Sequence, residues 1–193
     1  MVSLASPWGG SVKALKAFAS GDNFGVVVVR ALTIRQDERT YPSLAYLLPS
    51  DRFWSNDEVL LQSSTRNYTV SDYKDFFQDM NYMTGYEMWL DVKNLIYNLT
   101  APNIEIHCLH GVGIDTIHNL IYNKAFPDSQ PRIFYGDGDG TVNARSLKGC
   151  LRWQGQQYQG VYYKNFTNVD HMLIMSDFRI IDYIKNIAIR YIS

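Results

Sequence analysis

The stretch Arg132-Ile133-Phe134-Tyr135-Gly136-Asp137-Gly138-Asp139-Gly140 decides how the chain is read. Arg132 to Tyr135 has the β-branched and aromatic character of a strand, and the five residues that follow alternate Gly and Asp. Such a run ends a strand in a tight loop and holds a carboxylate at the C-terminal edge of a sheet, where open α/β sheets bind ligands. A turn alone accounts for the same residues, so the rest of the chain must say whether the loop carries chemistry.

On the N-terminal side, Ile104, Ile106 and Cys108 alternate with Glu105 and His107 and run into Gly111-Val112-Gly113, a strand with a glycine-rich exit. On the C-terminal side, Val161 to Phe166 reads as another strand, leading into Thr167 to His171. Val2 to Leu4 is a short strand closed by Ser6-Pro7-Trp8-Gly9-Gly10. Helical spacing covers Ser11 to Phe18, stopped by Ser20-Gly21-Asp22-Asn23. From there to about Pro49 no period is visible, and Val26 to Val29 with Arg30, Arg35, Asp37, Glu38 and Arg39 reads as a long irregular excursion. Between Ser71 and Tyr97 the apolar residues recur at helical spacing, predicting two helices broken near Gly85, with the aromatic stripe serving as packing rather than as a ligand box. Ser176 is expected to cap a last helix with Ile180, Ile181, Ile184, Ile187 and Ala188 on one face. Strands alternating with helices and ending on a helix predict an α/β fold.

The 193 residues carry a net charge of -1, which leaves no basic field for nucleic acid, and nucleic acid is not an expected partner. No stretch reaches the roughly 18 apolar residues needed to span a bilayer. The first residues lack the charged and apolar regions of a signal peptide and read like the inside of a domain, so a truncated gene model is expected. Cys108 and Cys150 fit either two thiols or one bridge. Asn-x-Thr sequons at Asn67, Asn98 and Asn165 are candidate glycosylation sites, and with the cysteine pair they lean toward an oxidising compartment.

A calcium loop at Asp137, Asp139 and Asn143 fails, because the third ligand position is Thr141 and the twelfth, which should be Glu, is Lys148. A metal site from His107, Cys108 and His110 fails as well, since neighbours on a strand point to opposite faces. No metal and no cofactor is expected. Of the four histidines, His107, His110, His118 and His171, only His171 falls in a turn between the last strand and the last helix. Serine hydrolases of α/β type order their residues nucleophile, acid, base, and Asp139 and His171 stand in that order, 32 residues apart.

Ser6-Pro7-Trp8-Gly9-Gly10-Ser11, Ala19-Ser20-Gly21-Asp22-Asn23, Asn67-Tyr68-Thr69, His107-Cys108-Leu109-His110-Gly111-Val112-Gly113, Asp137-Gly138-Asp139-Gly140-Thr141-Val142, Trp153-Gln154-Gly155 and the histidine turn together resemble the lecithin:cholesterol acyltransferase family and its close relative, the lysosomal (group XV) phospholipase A2. The matches are in order and cover nearly the whole chain. The resemblance implies an α/β-hydrolase fold, with this chain as its C-terminal portion. Residues 1–18 are then a core strand and helix, 19–48 a lid, 49–101 cap-domain helices and 102–193 the C-terminal core. It also implies that Asp139 is the triad acid, that His171 is the base, that Asp137 shapes the loop, and that Cys108 and Cys150 form a disulfide. The implied activity is that of a phospholipase A or lipid O-acyltransferase, acting through an acyl-serine on glycerophospholipid at a phospholipid membrane or lipoprotein surface. The acyl group passes to water or a lipid alcohol, in the lysosomal lumen or outside the cell.

Two departures stand out. Ala5-Ser6 replaces the family's usual Gly-Ala before Pro-Trp, a mild change. No G-x-S-x-G elbow occurs in the 193 residues, so the nucleophile, its oxyanion donors and the membrane-binding segment are expected upstream, and these residues alone are expected to be inactive. The alternative reading is a non-catalytic lipid- or partner-binding module on a hydrolase scaffold.

Overall fold

The computed structural model describes residues 1–23, 25–26 and 28–192; Phe24 and Val27 of the expected lid, and Ser193, lie outside the described residues. The elements in chain order are β1 (Val2–Leu4), α1 (Val12–Ser20), α2 (Ala31–Glu38), α3 (Pro42–Tyr46), β2 (Leu61–Gln62), β3 (Asn67–Tyr68), α4 (Tyr73–Asp79) and α5 (Met83–Tyr97). There follow β4 (Ile106–Val112), β5 (Thr116–Ile121), β6 (Arg132–Gly136), α6 (Ala144–Leu147), β7 (Val161–Thr167) and α7 (Phe178–Ile192). The fold is mixed α/β, with parallel pairing in both of its sheets. Two compact units divide the chain: Met1–Trp8, Thr100–Thr116 and Asp137–Ser193 form one, and Gly9–Leu99 with Ile117–Gly136 forms the other.

The first unit holds a parallel sheet in the order β1-β4-β7, with Val2 opposite His107 and Ile106 opposite Val161. The strand read as alternating from Ile104 starts at Ile106 and is buried from Ile106 to Gly111 without alternation. It is the central strand and covered on both faces, so even His107 is buried, stacked on Tyr162 with ring centroids 4.7 Å apart and hydrogen-bonded to Tyr183 of α7. Leu109, Phe166, Val169, Val142, Leu147, Ile174 and Ile180 make the core of this unit.

Asp177, rather than Ser176, caps α7: its Oδ1 accepts the N–H of Arg179 at 2.9 Å, while the Ser176 hydroxyl donates to the Leu173 carbonyl at 2.7 Å. The cap position belongs to the residue just outside the first helical turn, which Ser176 precedes by one. A cap of this kind is worth about 1 kcal/mol.

The second unit holds a sheet in the order β3-β2-β5-β6 and a core that includes Phe18, Trp54, Tyr68, Phe76, Phe77, Leu120 and Tyr122. The excursion read as irregular contains α2 and α3. Its period is invisible because charged side chains, not an apolar stripe, hold α2. Arg35 donates to the Ala19 carbonyl at 2.9 Å, Arg39 donates to the Phe18 carbonyl at 2.8 Å, and Glu38 accepts the Asp22 N–H at 3.0 Å. Guanidinium groups on the carbonyls that end α1 also complement its dipole.

The helix break falls at Met80–Tyr82, not at Gly85, with Asn81 in the left-handed region at φ 51°. Gly85 lies inside α5, where a Cβ would run into the ring of Phe77. It is a glycine of close packing rather than of a turn. Among the described residues no helix is long and apolar enough to cross a membrane.

Candidate active site

Asp139 is presented differently from what its sequence context suggests. The loop follows β6 along the chain, but β6 belongs to the second sheet, and Asp139 is held in the first unit by the exit of β4. Ile114 bridges Asp139 in parallel register, its N–H donating to the Gly138 carbonyl at 3.1 Å. Gly113 N–H donates to Asp137 Oδ1 at 2.8 Å. The sequence reading missed this support, although the glycine exit ending at Gly113 points to the residues that supply it.

The Asp139 side chain is fully buried, and its two oxygens do different work. Oδ1 accepts the N–H of Val142 at 2.7 Å and of Thr141 at 3.1 Å. Oδ2 lies 2.8 Å from Nδ1 of His171. The backbone adds a fourth tie, since His171 N–H donates to the Asp139 carbonyl at 2.8 Å. A carboxylate that accepts from Nδ1 places the ring proton there and leaves Nε2 as the free base. The His171 side chain is 24% exposed, so a buried carboxylate holds a partly exposed imidazole. A ring fixed in this tautomer can accept a proton from a hydroxyl and return it to a leaving group.

Lecithin:cholesterol acyltransferase is the family whose model matches, over residues 1–177. The chain belongs to the lecithin:cholesterol acyltransferase family. It is similar to phosphatidylcholine-sterol acyltransferase of Gallus gallus, 40% identical over 172 residues that make up 89% of this chain and 42% of that protein. It is also similar to lysosomal phospholipase A and acyltransferase, 39% identical over 188 residues in Rattus norvegicus and 38% over 188 in Homo sapiens, in each case 97% of this chain and 45% of the relative. The chain thus spans less than half the length of these relatives.

Within this family member the other three histidines are occupied differently. His110 is buried; Nδ1 donates to the Gly111 carbonyl at 2.7 Å and Nε2 accepts from the Tyr163 hydroxyl at 2.9 Å, a neutral arrangement that burial reinforces by lowering its pKa. His107 Nε2 lies 2.9 Å from Glu105, which also accepts from Arg190 at 2.6 Å. His118 is half-exposed and 4.0 Å from Glu58. Among the described residues no group of three His, Cys, Asp or Glu is placed to hold a metal.

Cys108 of β4 and Cys150 in the 3-10 turn Gly149–Trp153 are joined by a disulfide, with Cα atoms 6.7 Å apart. Asn67, Asn98 and Asn165 are all exposed, and the Asn165 amide donates to the Tyr163 hydroxyl at 3.3 Å. A cavity of about 440 Å³ in the second unit, with Leu48, Val70, Tyr73, Trp89 and Lys93 in its wall, includes neither Asp139 nor His171.

Proposed function

We propose that these residues are part of an α/β-hydrolase-type lipid acyl enzyme in which Asp139 is the triad acid and His171 the general base. A serine outside these 193 residues attacks the ester carbonyl of a glycerophospholipid while His171 Nε2 takes its proton. Collapse of the tetrahedral intermediate expels the lysophospholipid alkoxide, which receives that proton, and leaves an acyl-serine. Water or a lipid alcohol then gives its proton to Nε2 and attacks the acyl-serine; the acyl–serine bond breaks, the serine oxygen takes that proton back from Nε2, and the fatty acid or acylated product leaves. Asp139 holds the tautomer and stabilises the imidazolium at each stage. Residues 19–48 are assigned to a lid, 49–101 to a cap, and 1–18 with 102–193 to the hydrolase core. The enzyme works at a phospholipid membrane or lipoprotein surface, in the lysosomal lumen or after secretion, and needs no cofactor.

The observation that carries this reading is the 2.8 Å contact between a fully buried Asp139 and a partly exposed His171, in a chain of this family. The relatives' names support the substrate class, since they specify phosphatidylcholine and sterol in one case and a lysosomal phospholipase A in the other. The test is the full-length protein on phosphatidylcholine vesicles with and without sterol or ceramide. Release or transfer of fatty acid that His171→Ala removes is the expected result. Absence of both, together with vesicle binding, would favour a lipid-binding module instead.

A further inference from the structure

We propose that Thr116 is a positioning residue for Asp139, a role that rests on reading Asp139 as the catalytic acid. Thr116 is fully buried, and its hydroxyl is used twice. It donates to the Ile114 carbonyl at 2.9 Å and accepts the N–H of Gly140 at 2.9 Å. Because the single hydroxyl proton is committed to Ile114, the oxygen lone pairs are left to face Gly140, and the direction of the second bond is fixed.

That second bond grips the acid loop just beyond the carboxylate. The segment Gly113–Thr116 fastens the loop at three successive points: the Asp137 carboxylate on Gly113 N–H, the Gly138 carbonyl on Ile114 N–H, and Gly140 N–H on the Thr116 hydroxyl. Asp139 stands between the second and third. Without the third, the segment Gly113–Thr116 holds the loop on the N-terminal side of Asp139 only. The packing agrees with this, since a Cβ on Gly138 would collide with the Thr116 hydroxyl, so the glycine is what lets that oxygen lie against the loop. A threonine that served only its strand would need neither the bond to Gly140 nor this approach. The placement of the acid matters because a misdirected carboxylate no longer holds the base in its working tautomer.

Thr116→Val keeps the shape and removes both hydrogen bonds. In the full-length protein, turnover of a fluorogenic ester and of phosphatidylcholine vesicles is expected to fall in kcat by roughly ten- to a hundredfold, with KM within about twofold and the thermal midpoint lowered by only a few degrees. Thr116→Ser, which keeps the oxygen, is expected to recover most of that loss. Thr116→Ala supplies the same comparison if the valine variant folds poorly. In an Asp139→Asn background, Thr116→Val is expected to cost nothing further, because residues that act through one another are not additive. An equal loss in both backgrounds, or no loss in either, overturns the positioning role. Full activity of Asp139→Asn itself would instead sink the reading of the acid on which the role rests.

Discussion

His171 is bonded to Asp139 twice, through ring Nδ1 to Oδ2 at 2.8 Å and through its backbone N–H to the Asp139 carbonyl at 2.8 Å. The consequence is specific for Asp139→Asn. The Thr141 and Val142 N–H groups require an acceptor at Oδ1, so the new amide must turn its NH₂ toward His171. Nδ1 then has to accept, the ring proton moves to Nε2, and the base is lost without a change of fold. Activity of the full-length enzyme is expected to drop by about 10⁴. Asp137→Asn keeps an oxygen for Gly113 N–H and is expected to cost less than about tenfold, on the scale of one weakened hydrogen bond. Steady-state kinetics of the two variants decide the matter, and reversed effects would move the acid to Asp137.

The Cys108–Cys150 bridge closes a separation of 42 residues that contains the whole of the Asp139 loop. Chain entropy puts its contribution on the order of 4 kcal/mol at 25 °C. Replacing both cysteines with alanine is expected to lower the denaturation midpoint accordingly and to raise loop mobility around Asp139. Thiol labelling of the unreduced full-length protein is the direct check, and two labelled cysteines would exclude the bridge.

Burial lowers the His110 pKa below its ordinary 6.5, while the same side chain in the unfolded chain keeps that value. The folded protein therefore binds fewer protons below pH 6.5. Stability from this group is fully present above that pH and declines as the pH falls toward the folded value. Glu38 has the opposite sign: burial raises its pKa above 4.5, so its contribution is present below that value and lost as the pH rises through the folded one. Comparing His110→Asn with the wild type isolates the histidine. The variant is expected to be less stable at neutral pH but to lose less stability between pH 6.5 and 5 in urea titrations; parallel slopes would refute the assignment.

Much of the first unit was legible because its signals are local. Val2–Leu4 and Val161–Thr167 fall where runs of apolar and β-branched residues place them, and the order of Asp139 and His171 survives any change in the residues between them. What stayed hidden depends on partners far along the chain. The polar His107 is buried because Tyr162 and Tyr183 cover it. The α2 helix forms because Arg35, Glu38 and Arg39 reach the end of α1, which no hydrophobic period records. Thr116 carries no motif at all, and its use follows from the return of the chain at Asp139 beside Ile114.

Of the three sequons, Asn67 is expected to carry glycan most completely and Asn165 least. Asn67 is exposed on the two-residue strand β3, in the polar stretch Ser63 to Ser71. Asn165 is exposed too, but its amide nitrogen is engaged by the Tyr163 hydroxyl and its backbone lies within β7, paired with His110. Peptide mapping of protein from a secretory host that found Asn165 occupied and Asn67 bare would reverse the ranking.

The 193-residue chain, produced by itself, is expected to hydrolyse no phospholipid ester and to transfer no acyl group. The argument is chemical. His171 has a fixed tautomer and a partly exposed side chain, yet a base accelerates acyl transfer only by taking a proton from a nucleophile, and no serine elbow occurs in the sequence. A triad works as a unit: in a well-studied serine protease, loss of the nucleophile alone costs about 2 × 10⁶ in kcat, as much as loss of all three members. Residual catalysis in such mutants comes from the oxyanion hole, whose donors in α/β-hydrolases are the N–H of the residue after the nucleophile and one from an earlier loop. With the elbow absent, the first of these is absent too. Ester turnover by the purified chain that His171→Ala abolished would show that one of its own residues serves as nucleophile, and the proposal of a serine outside these residues would have to be given up.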